Sequence, residues 1–564
     1  MPTTSASIQR IIEIEGSELA PDVESQLESA LVVDRLAMPD MFTLVFRDPD
    51  RDVLGRAGLE IGKKVRISTT SLGADSPEPL ISGEVTSVET EYDSLGTRAV
   101  VRGYDRSHRL SAGRKTATYQ QVKYSDIASQ IAGAAGLTAD VDDSGGTVDH
   151  VLQANQSDLE FLYGIARRIG FDCRVDDDKL LFKKPVQSSG APGDGDYESE
   201  DPVQLVWNHN LLEFRARMSA VAQVAEVKVR GWDIQNKEAV IGQADVSASN
   251  AELSTTPADL AGKVGGQTLV VVNHPVGTQE AADELATARA EQVGSAAFEA
   301  TAVTLGSPAL KAGTAVSVAG IDPALEGKWV ITGSRHEFGS GAYRTSLEFS
   351  GRQDRSIHGL VSQGSSGGGT RERYFGVAVG IVTDNNDPLT MGRVKVSYPW
   401  LADDAESSWA RLVAPGAGKD YGVTWIPQVG DEVLIAFEHG DISSPIVLGG
   451  MWNGKDTIPF DYGTDLDAGS VTYCGFTSRT GHKVSFFESS SESKIHLLTA
   501  NGEVSVVLDD KNKELKIETT GKVLFDAQGD VEIKTQGSFK VDATGVEIKA
   551  SGQTAIKGAT VALN

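Results

Sequence analysis

The chain has 564 residues, a formal net charge of −27 at pH 7 and 60 glycines. This length is enough for three or four domains, and the excess of glycine favours β structure with many turns. The strong negative charge argues against a protein that binds duplex nucleic acid, which needs a basic face, and against electrostatic docking on anionic lipid. We therefore expect no nucleic-acid partner.

The two cysteines, Cys173 and Cys474, lie far apart in the sequence. A disulfide framework is therefore not expected, and the composition indicates folding in a reducing cytoplasm. The N-terminal residues lack the apolar core of a signal peptide, and the chain has no apolar run of roughly 18 residues that would predict a membrane-spanning helix. The sequence thus predicts assembly in the cytoplasm without a signal peptide.

The first 350 residues read mainly as strands and turns. Strands are predicted at residues 41–46, 65–68, 81–85 and 99–102. A helix is predicted over 124–135, because Ile127 and Ile131 are spaced four apart, and another begins at the Ser157–Glu160 capping box and ends near Gly170. A hairpin over 171–182, a polar loop over 188–202 and strands around an alanine-rich helix from Gln279 to about Val293 complete this region.

The remainder of the chain falls into three parts. Residues 362–370 are rich in Gly and Ser and predict a linker. A compact block of short strands follows at 374–453. Residues 456–564 then become progressively more regular and end in repeats of eight residues.

The repeats place apolar pairs at a fixed spacing, with glycines at 521, 529, 537 and 545 in the same period. Because eight is even, every pair falls on one face of an extended strand. After Gly545 the pair arrives one residue early, which predicts a β-bulge or corner there. The predicted apolar face comprises Leu515, Ile517, Val523, Phe525, Val531, Ile533, Phe539, Val541, Val546 and Ile548.

A single chain with one apolar stripe has nothing against which to bury it. The interpretation we favour is that several chains wrap around a shared axis and form an intertwined trimeric β-prism, whose Lys and Glu neighbours limit charge repulsion. A single-chain β-solenoid, which also shows periodic apolar stripes, is the alternative.

Three segments resemble the hub–spike proteins of contractile phage baseplates and the VgrG family. Residues 101–110 and 153–171 resemble the hub domain, and residues 330–336 resemble its end. Residues 376–385, 392–400, 426–437 and 445–449 resemble the OB-fold of that family, and residues 479–484 resemble the entry into its prism.

The resemblance implies a mainly β protein with a few helices, organised as a hub, an OB-fold and a prism. The hub is expected at 1–361, as two β-barrel-like subdomains with helices. A linker at 362–373, the OB-fold at 374–455 and the triple-stranded β-helix of the spike at 456–564 follow.

The implied function is that of a non-enzymatic homotrimeric spike that caps the inner tube of a contractile injection system and punctures the target envelope. Its implied partners are the inner tube protein, baseplate wedge proteins and a PAAR-like tip protein, with effector cargo as a possibility and transient contact with the target membrane. The region around Gly103–Arg106 and the lack of an effector extension favour an extracellular phage-tail-like system. A type VI secretion VgrG and a phage tail spike are the alternatives.

Aromatic residues and histidines in the C-terminal half bear on other possible functions. The aromatic residues of the OB-like block could form a stacking platform, but core packing or contact between chains is the favoured interpretation. His482 and His496 form no H-x-H pair, so we expect no metal and no cofactor. No nucleophile motif is apparent, and a spike-borne cell-wall hydrolase is the alternative from a different class. The aromatic residues concerned are Tyr374, Phe375, Tyr398, Trp400, Trp409, Tyr421, Trp425, Phe437 and Trp452.

Overall fold

A computed structural model describes residues 9–70, 76–94, 96–339, 342–352 and 373–562. The chain divides into two compact units, Met1–Asn453 and Gly454–Asn564. The predicted linker at 362–373 lies outside the described residues except for its last one. No helix in the described ranges has both the length and the apolar character needed to cross a bilayer.

The N-terminal part of the first unit is built from antiparallel strands. The four strands predicted there from the sequence are all present, each somewhat longer than predicted. The elements are β1 Arg10–Ile14, β2 Ser17–Glu18, α1 Pro21–Glu24, β3 Leu27–Arg35, β4 Met41–Arg47, α2 Val53–Ala57, β5 Lys64–Thr69, β6 Glu78–Asp93, β7 Gly96–Asp105 and α3 Ser107–Ser111.

A helical subdomain follows, and both predicted helices are confirmed. Ser157 accepts a hydrogen bond from the Glu160 amide while the Glu160 carboxylate accepts one from the Ser157 amide, and Gly170 ends the helix in the left-handed conformation. The predicted hairpin is also present. The elements are β8 Lys115–Val122, α4 Tyr124–Ala134, β9 Thr138–Val141, β10 Val148–Gln156, α5 Asp158–Ile169, β11 Asp172–Asp176 and β12 Lys179–Lys183.

The predicted loop at 188–202 contains one 3₁₀ turn, Ser188–Gly190, and leads into a second group of strands around the alanine-rich helix. Their elements are β13 Gln204–Val206, β14 Leu211–Met218, β15 Glu226–Asp233, β16 Glu238–Asp245, β17 Ala251–Leu253, α6 Pro257–Lys263, β18 Thr268–Val271, α7 Gln279–Ser295, β19 Phe298–Leu305, β20 Ala315–Ala319, β21 Gly327–Val330, β22 Gly333–Gly339 and β23 Ala342–Phe349.

One large sheet joins the beginning and the end of this region. In the described residues its strand order is β14-β19-β23-β22-β3-β4-β7-β6-β5-β1-β2. The junction is the antiparallel pairing of β22 with β3, in which Gly333 lies opposite Arg35 and Phe338 opposite Ala30. The two groups of strands therefore share a continuous backbone ladder, although each keeps its own apolar core, one around Phe42 and one around Trp329.

Residues 374–453 form a five-stranded barrel with OB topology. The sheet order is β25-β24-β29-β30-β26, β26 and β30 pair in parallel, and bridges from Val394 to Ala410 and from Ser397 to Glu406 close the barrel. The elements are β24 Val377–Asp384, β25 Lys395–Ser397, β26 Arg411–Leu412, β27 Ala417–Gly418, β28 Tyr421–Gly422, β29 Glu432–Phe437, a 3₁₀ turn Glu438–Gly440 and β30 Pro445–Gly450.

The barrel is attached to the helical subdomain through shared packing. Leu152 and Ala154 of β10 belong to the same apolar cluster as the barrel core, which includes Tyr398. The imidazole of His150 is 2.8 Å from the carbonyl oxygen of Glu406. The barrel therefore belongs to the first unit.

The second unit contains short hairpins and a five-stranded antiparallel meander. Its strands are β31 Leu466–Asp467, β32 Ser470–Val471, β33 Tyr473–Thr477, β34 Lys483–Glu488, β35 Ser493–Leu498, β36 Val504–Asp509 and β37 Glu514–Thr519. Strands predominate in both units and helices are few, so the predicted mainly β fold class is confirmed.

A buried ion pair organises the loop after β24. The Asp387 carboxylate accepts hydrogen bonds from the Arg393 guanidinium, the shortest at 2.6 Å, and from the amides of Leu389, Met391 and Arg393. The Asp387 side chain is 3% exposed. These donors, the guanidinium first, hold the pKa of Asp387 well below its ordinary value.

We expect Asp387→Ala to destabilise the barrel by about 3–5 kcal/mol, because it leaves the Arg393 charge buried without a partner. Urea denaturation followed by tryptophan fluorescence measures this, since the Trp409 ring is 5.8 Å from the Arg393 guanidinium. Because the folded-state pKa of Asp387 is depressed, the contribution is present above the ordinary aspartate pKa of about 3.9 and is lost as the pH falls through the folded-state value. Asp404→Ala, at an exposed aspartate, is the control.

Candidate functional site

The meander in the second unit is apolar over two adjacent rows of one face. In an antiparallel sheet, residues directly opposite each other point to the same side. The pairing registers place two apolar rows across all five strands. The rows are Cys474–Phe486–Ile495–Leu508–Leu515 and Phe476–Val484–Leu497–Val506–Ile517. We call these ten residues the apolar face.

Burial on this sheet is the reverse of what a single globular chain shows. On β34, Ser485 is 2% exposed, whereas its neighbours Val484 and Phe486 are 38% and 37% exposed. On β35 the same alternation leaves Ile495 and Leu497 exposed and Lys494 and His496 partly buried. An exposed apolar surface of this extent marks a site of interaction.

The opposite face of the sheet is covered within the unit itself. The Phe487 ring lies 5.4 Å from that of Tyr473, which in turn lies 6.4 Å from that of Phe460. The Lys494 ammonium is 4.8 Å from the centre of the Phe487 ring. The chain therefore uses its own residues on the polar side of the sheet and presents the apolar side outward.

The apolar face runs directly into the eight-residue repeats, since Leu515 and Ile517 belong to both. The ten repeat residues predicted from the sequence are all exposed in the single chain, from 50% for Ile517 and Val523 to 78% for Phe525. Their burial between chains is a prediction that a single chain does not test. No strand occurs in the described residues from 520 to 562.

The backbone of the repeats has almost no internal partners. The last backbone–backbone hydrogen bond in the described chain runs from the Thr520 amide to the Glu503 carbonyl, at 3.1 Å. Beyond it, in residues 521–562, the backbone donates only to nearby threonine hydroxyls, from Gly521 to Thr519 and from Gly537 to Thr535. A single-chain solenoid would pair its own strands here. The described residues show no such pairing.

Ion pairs alternate with the apolar pairs along the repeats. Lys516 lies 2.8 Å from Glu518, and Lys534 lies 2.8 Å from Glu532. A hydrogen bond and the charge of Glu518 raise the pKa of Lys516. The third pair, Glu547 with Lys549, is displaced by one residue together with Val546 and Ile548, so both faces shift after Gly545. The predicted bulge or corner at Gly545 remains a prediction.

The glycines of the repeats are not explained by the single chain. None of Gly521, Gly529, Gly537 and Gly545 has a left-handed φ. A Cβ at Gly529 or Gly545 would meet nothing within 4 Å in the described chain. Nothing in the described chain therefore requires glycine at Gly529 or Gly545, and close approach of another backbone is the explanation that we test below.

In the barrel, the predicted aromatic residues divide into two groups. The rings of Tyr374, Tyr398, Trp400 and Phe437 pack together at 5.6–6.0 Å, and Trp409 is partly buried. Phe375, Tyr421, Trp425 and Trp452 are 61–74% exposed. Arg393 is paired with Asp387, and Lys395 lies 3.0 Å from Glu406. A carboxylate therefore compensates the positive charge of each of these two residues.

Sequence reasoning missed the part of the apolar face that lies on β33–β36. Its residues do not repeat every eight positions, because the turns between the strands differ in length. The short alternations of apolar and polar residues at 484–486, 495–497 and 504–506 are the signal that could have revealed it.

Comparisons with known proteins agree with this architecture. A family model described as the Alg8 N-terminal domain matches residues 55–339, and one described as the type VI secretion system/phage-baseplate injector OB domain matches residues 378–452. The type VI secretion system spike protein VgrG1b of Pseudomonas aeruginosa is 31% identical over 134 residues, which is 22% of this chain and 17% of that protein. The chain belongs to the Alg8 N-terminal domain family. Its OB-domain match and its relatives support its recognition as similar to VgrG and phage-baseplate spike proteins.

Two further VgrG comparisons define how far the likeness extends. The actin cross-linking toxin VgrG1 of Vibrio cholerae is 23% identical over 270 residues, 40% of this chain and 23% of the toxin. A chain of the half-lidded Francisella PdpA–VgrG complex has the same fold, with a TM-score of 0.52 at 8% identity, over 91% of this chain and 88% of that one. The chain spans less than a quarter of the length of the curated VgrG relatives named here.

The glycines of the repeats offer a direct test of contact with other chains. We expect Gly529→Val to weaken association strongly while leaving the first unit unchanged, because the new side chain meets nothing in its own chain but would occupy the space of a neighbouring one. Native mass spectrometry measures the oligomer. Asp530→Val at the adjacent position is the matched control, and equal behaviour of the two variants would contradict the explanation.

Proposed function

We propose that the protein is the homotrimeric central spike of a contractile injection system. The observation that carries the proposal is the continuous apolar face of the second unit, which one chain leaves exposed together with the unpaired backbone of residues 521–562. Three copies around one axis would bury both. Backbone groups and apolar side chains would then find partners in the same assembly.

The energetics favour such an assembly. Each large apolar side chain that becomes fully buried contributes roughly 1.5–3 kcal/mol. The ten predicted repeat residues of each chain, together with the upstream rows of the apolar face, offer many such side chains. Strands paired around a closed prism have no free edge, which makes the prism stiff and protects it from aggregation. A stiff needle is what transmission of axial force requires.

The remaining parts of the chain fit the other duties of a spike. In the proposal, three hubs form a ring that caps the inner tube and contacts baseplate wedge proteins, and the OB barrel passes the chain from the hub to the prism. The prism end carries a PAAR-like tip protein and makes transient contact with the target membrane when it punctures the envelope. The Francisella neighbour was solved as a complex of VgrG with PdpA, which supports a place for effector cargo.

The setting that we propose is an extracellular phage-tail-like injection system, with assembly in the cytoplasm and release as part of the contractile particle. The curated relatives named as type VI spike proteins match between 12% and 22% of the chain. Because those curated relatives are named as type VI spikes, a type VI VgrG is the second candidate, and a phage tail spike is the third. Neighbouring genes distinguish them: tail-fibre and ATPase genes, membrane-complex genes or capsid genes.

We propose further that the chain is not an enzyme. In the described part of the second unit, Lys494, Lys516 and Lys534 each pair with a glutamate, and His496 lies on the sheet. One VgrG relative is named an actin cross-linking toxin, so a chemical activity is a fair competing hypothesis. A peptidoglycan zymogram and an actin cross-linking assay with purified protein test it. A lysis band or cross-linked actin would overturn the non-enzymatic assignment.

We expect Val531→Asp to abolish the trimer, because it places three carboxylates in one buried layer of the prism. Native mass spectrometry counts the chains. A second readout is the reaction of Cys474 with a maleimide, since this exposed thiol lies on the apolar face and should be protected in the trimer and reactive in the variant. Cys173 serves as an internal reference, because burial raises the pKa of its thiol to about 12.

The matched control is Gln536→Asp, which adds the same charge on the opposite face of the repeats and should leave the trimer intact. A Val531→Asp protein that remains trimeric and heat-stable would show that the inward face is assigned wrongly. A wild-type protein that is a stable monomer would end the proposal of a spike built from three chains.

A further inference from the structure

The eight-residue repeats do not define their own alignment. If one chain of a bundle slides by eight residues, apolar pairs still face apolar pairs and glycines still face glycines. The pairs at 515/517, 523/525, 531/533 and 539/541 are interchangeable in this respect. A bundle made only of these repeats could therefore form in several registers. Only at the displaced pair, Val546 and Ile548, would such a shift bring apolar residues out of alignment.

The meander upstream has no such ambiguity. Its strands are joined by turns of different length, and its apolar pairs follow one another at unequal intervals. The side chains also differ along each row, with Cys474, Phe476 and Phe486 towards the β33 edge of the face and branched aliphatic residues towards the β37 edge. Only one alignment of identical sheets brings like rows together.

The two regions also differ in how many of their backbone hydrogen bonds a single chain can form by itself. The strands of the meander pair with each other within one chain, ending with Val504 opposite Thr519. The repeats after Thr520 have no such pairing in the described residues. The sheet can therefore form before chains associate, whereas the repeats need neighbouring chains to satisfy their backbone.

We propose that the meander over Tyr473–Thr519 is the registration element of the trimer. This inference rests on the proposed function. Three preformed sheets associate through their apolar faces and so align the three chains at Gly521. The repeats then pair from Gly521 towards the tip in the alignment that the sheets have set.

The decisive experiment uses mixed trimers of two full-chain proteins, one intact and one lacking residues 522–529. The deletion removes one repeat and keeps every remaining pair in phase. Both chains carry Lys534→Cys in a Cys474→Ser background, with a spin label at residue 534. The Lys534 side chain is 80% exposed, and the buried Cys173 is expected to remain unlabelled. Pulsed electron–electron resonance measures the distances between labels.

If the sheets set the register, labels on intact and shortened chains are displaced by eight residues of extended chain, at most about 26 Å. A second, longer distance population is then expected in mixed trimers, and a single population in trimers of either chain alone. If the repeats align themselves, the mixed trimers show a single short distance, which would overturn the inference while leaving the trimeric spike intact. Failure of the intact chain to form trimers would instead refute the proposed function.

A second variant tests the apolar face itself. Leu497→Asp lies within the face and outside the repeats, and we expect it to give either trimers with added longer distances or chains that do not associate. Lys516→Asp places the same charge on the opposite side of the sheet and should keep the single distance. A Leu497→Asp trimer with one unchanged distance would show that the sheet does not set the register.

Discussion

The constraint on which this molecule depends is that backbone amides and apolar side chains must find partners. The described residues of the first unit meet that constraint largely within one chain, through a large shared sheet and a closed barrel. Residues beyond Thr520 do not, in the part of the chain that the structure describes. In the proposed assembly, this difference separates a part that folds by itself from a part whose structure neighbouring chains complete.

The apolar face links the two behaviours within the second unit. The five strands of its sheet pair with each other within one chain. The apolar side chains nevertheless point outward, and Ser485 is buried on the other side. Such an arrangement is costly for a monomer and natural for one wall of a multichain bundle. The ion pairs of the polar side let the same strands carry many charges without a single-sign surface along their length.

Local sequence signals predicted most elements of the first unit because they act over short distances. The Ser157–Glu160 box and Gly170 define both ends of a helix through hydrogen bonds and a left-handed residue that need no tertiary partner. The joining of β22 with β3 could not be predicted in this way, since its two strands lie about 300 residues apart along the chain and no local pattern records their pairing. The sorting of the barrel aromatics into a packed cluster around Tyr398 and an exposed group also depends on which strand faces which.

The sequence by itself determined the eight-residue period, the single apolar side of the repeats and the mainly β class, because strand geometry converts an even period directly into one face. The tertiary structure alone decided that this side continues upstream across five strands, from Leu515 and Ile517 to Cys474 and Phe476. Because the turns there are of unequal length, the apolar residues do not recur at a constant spacing in the sequence. Only the pairing register shows that they form continuous rows. Physical neighbours across a sheet, unlike neighbours along a strand, are set by the path of the whole chain.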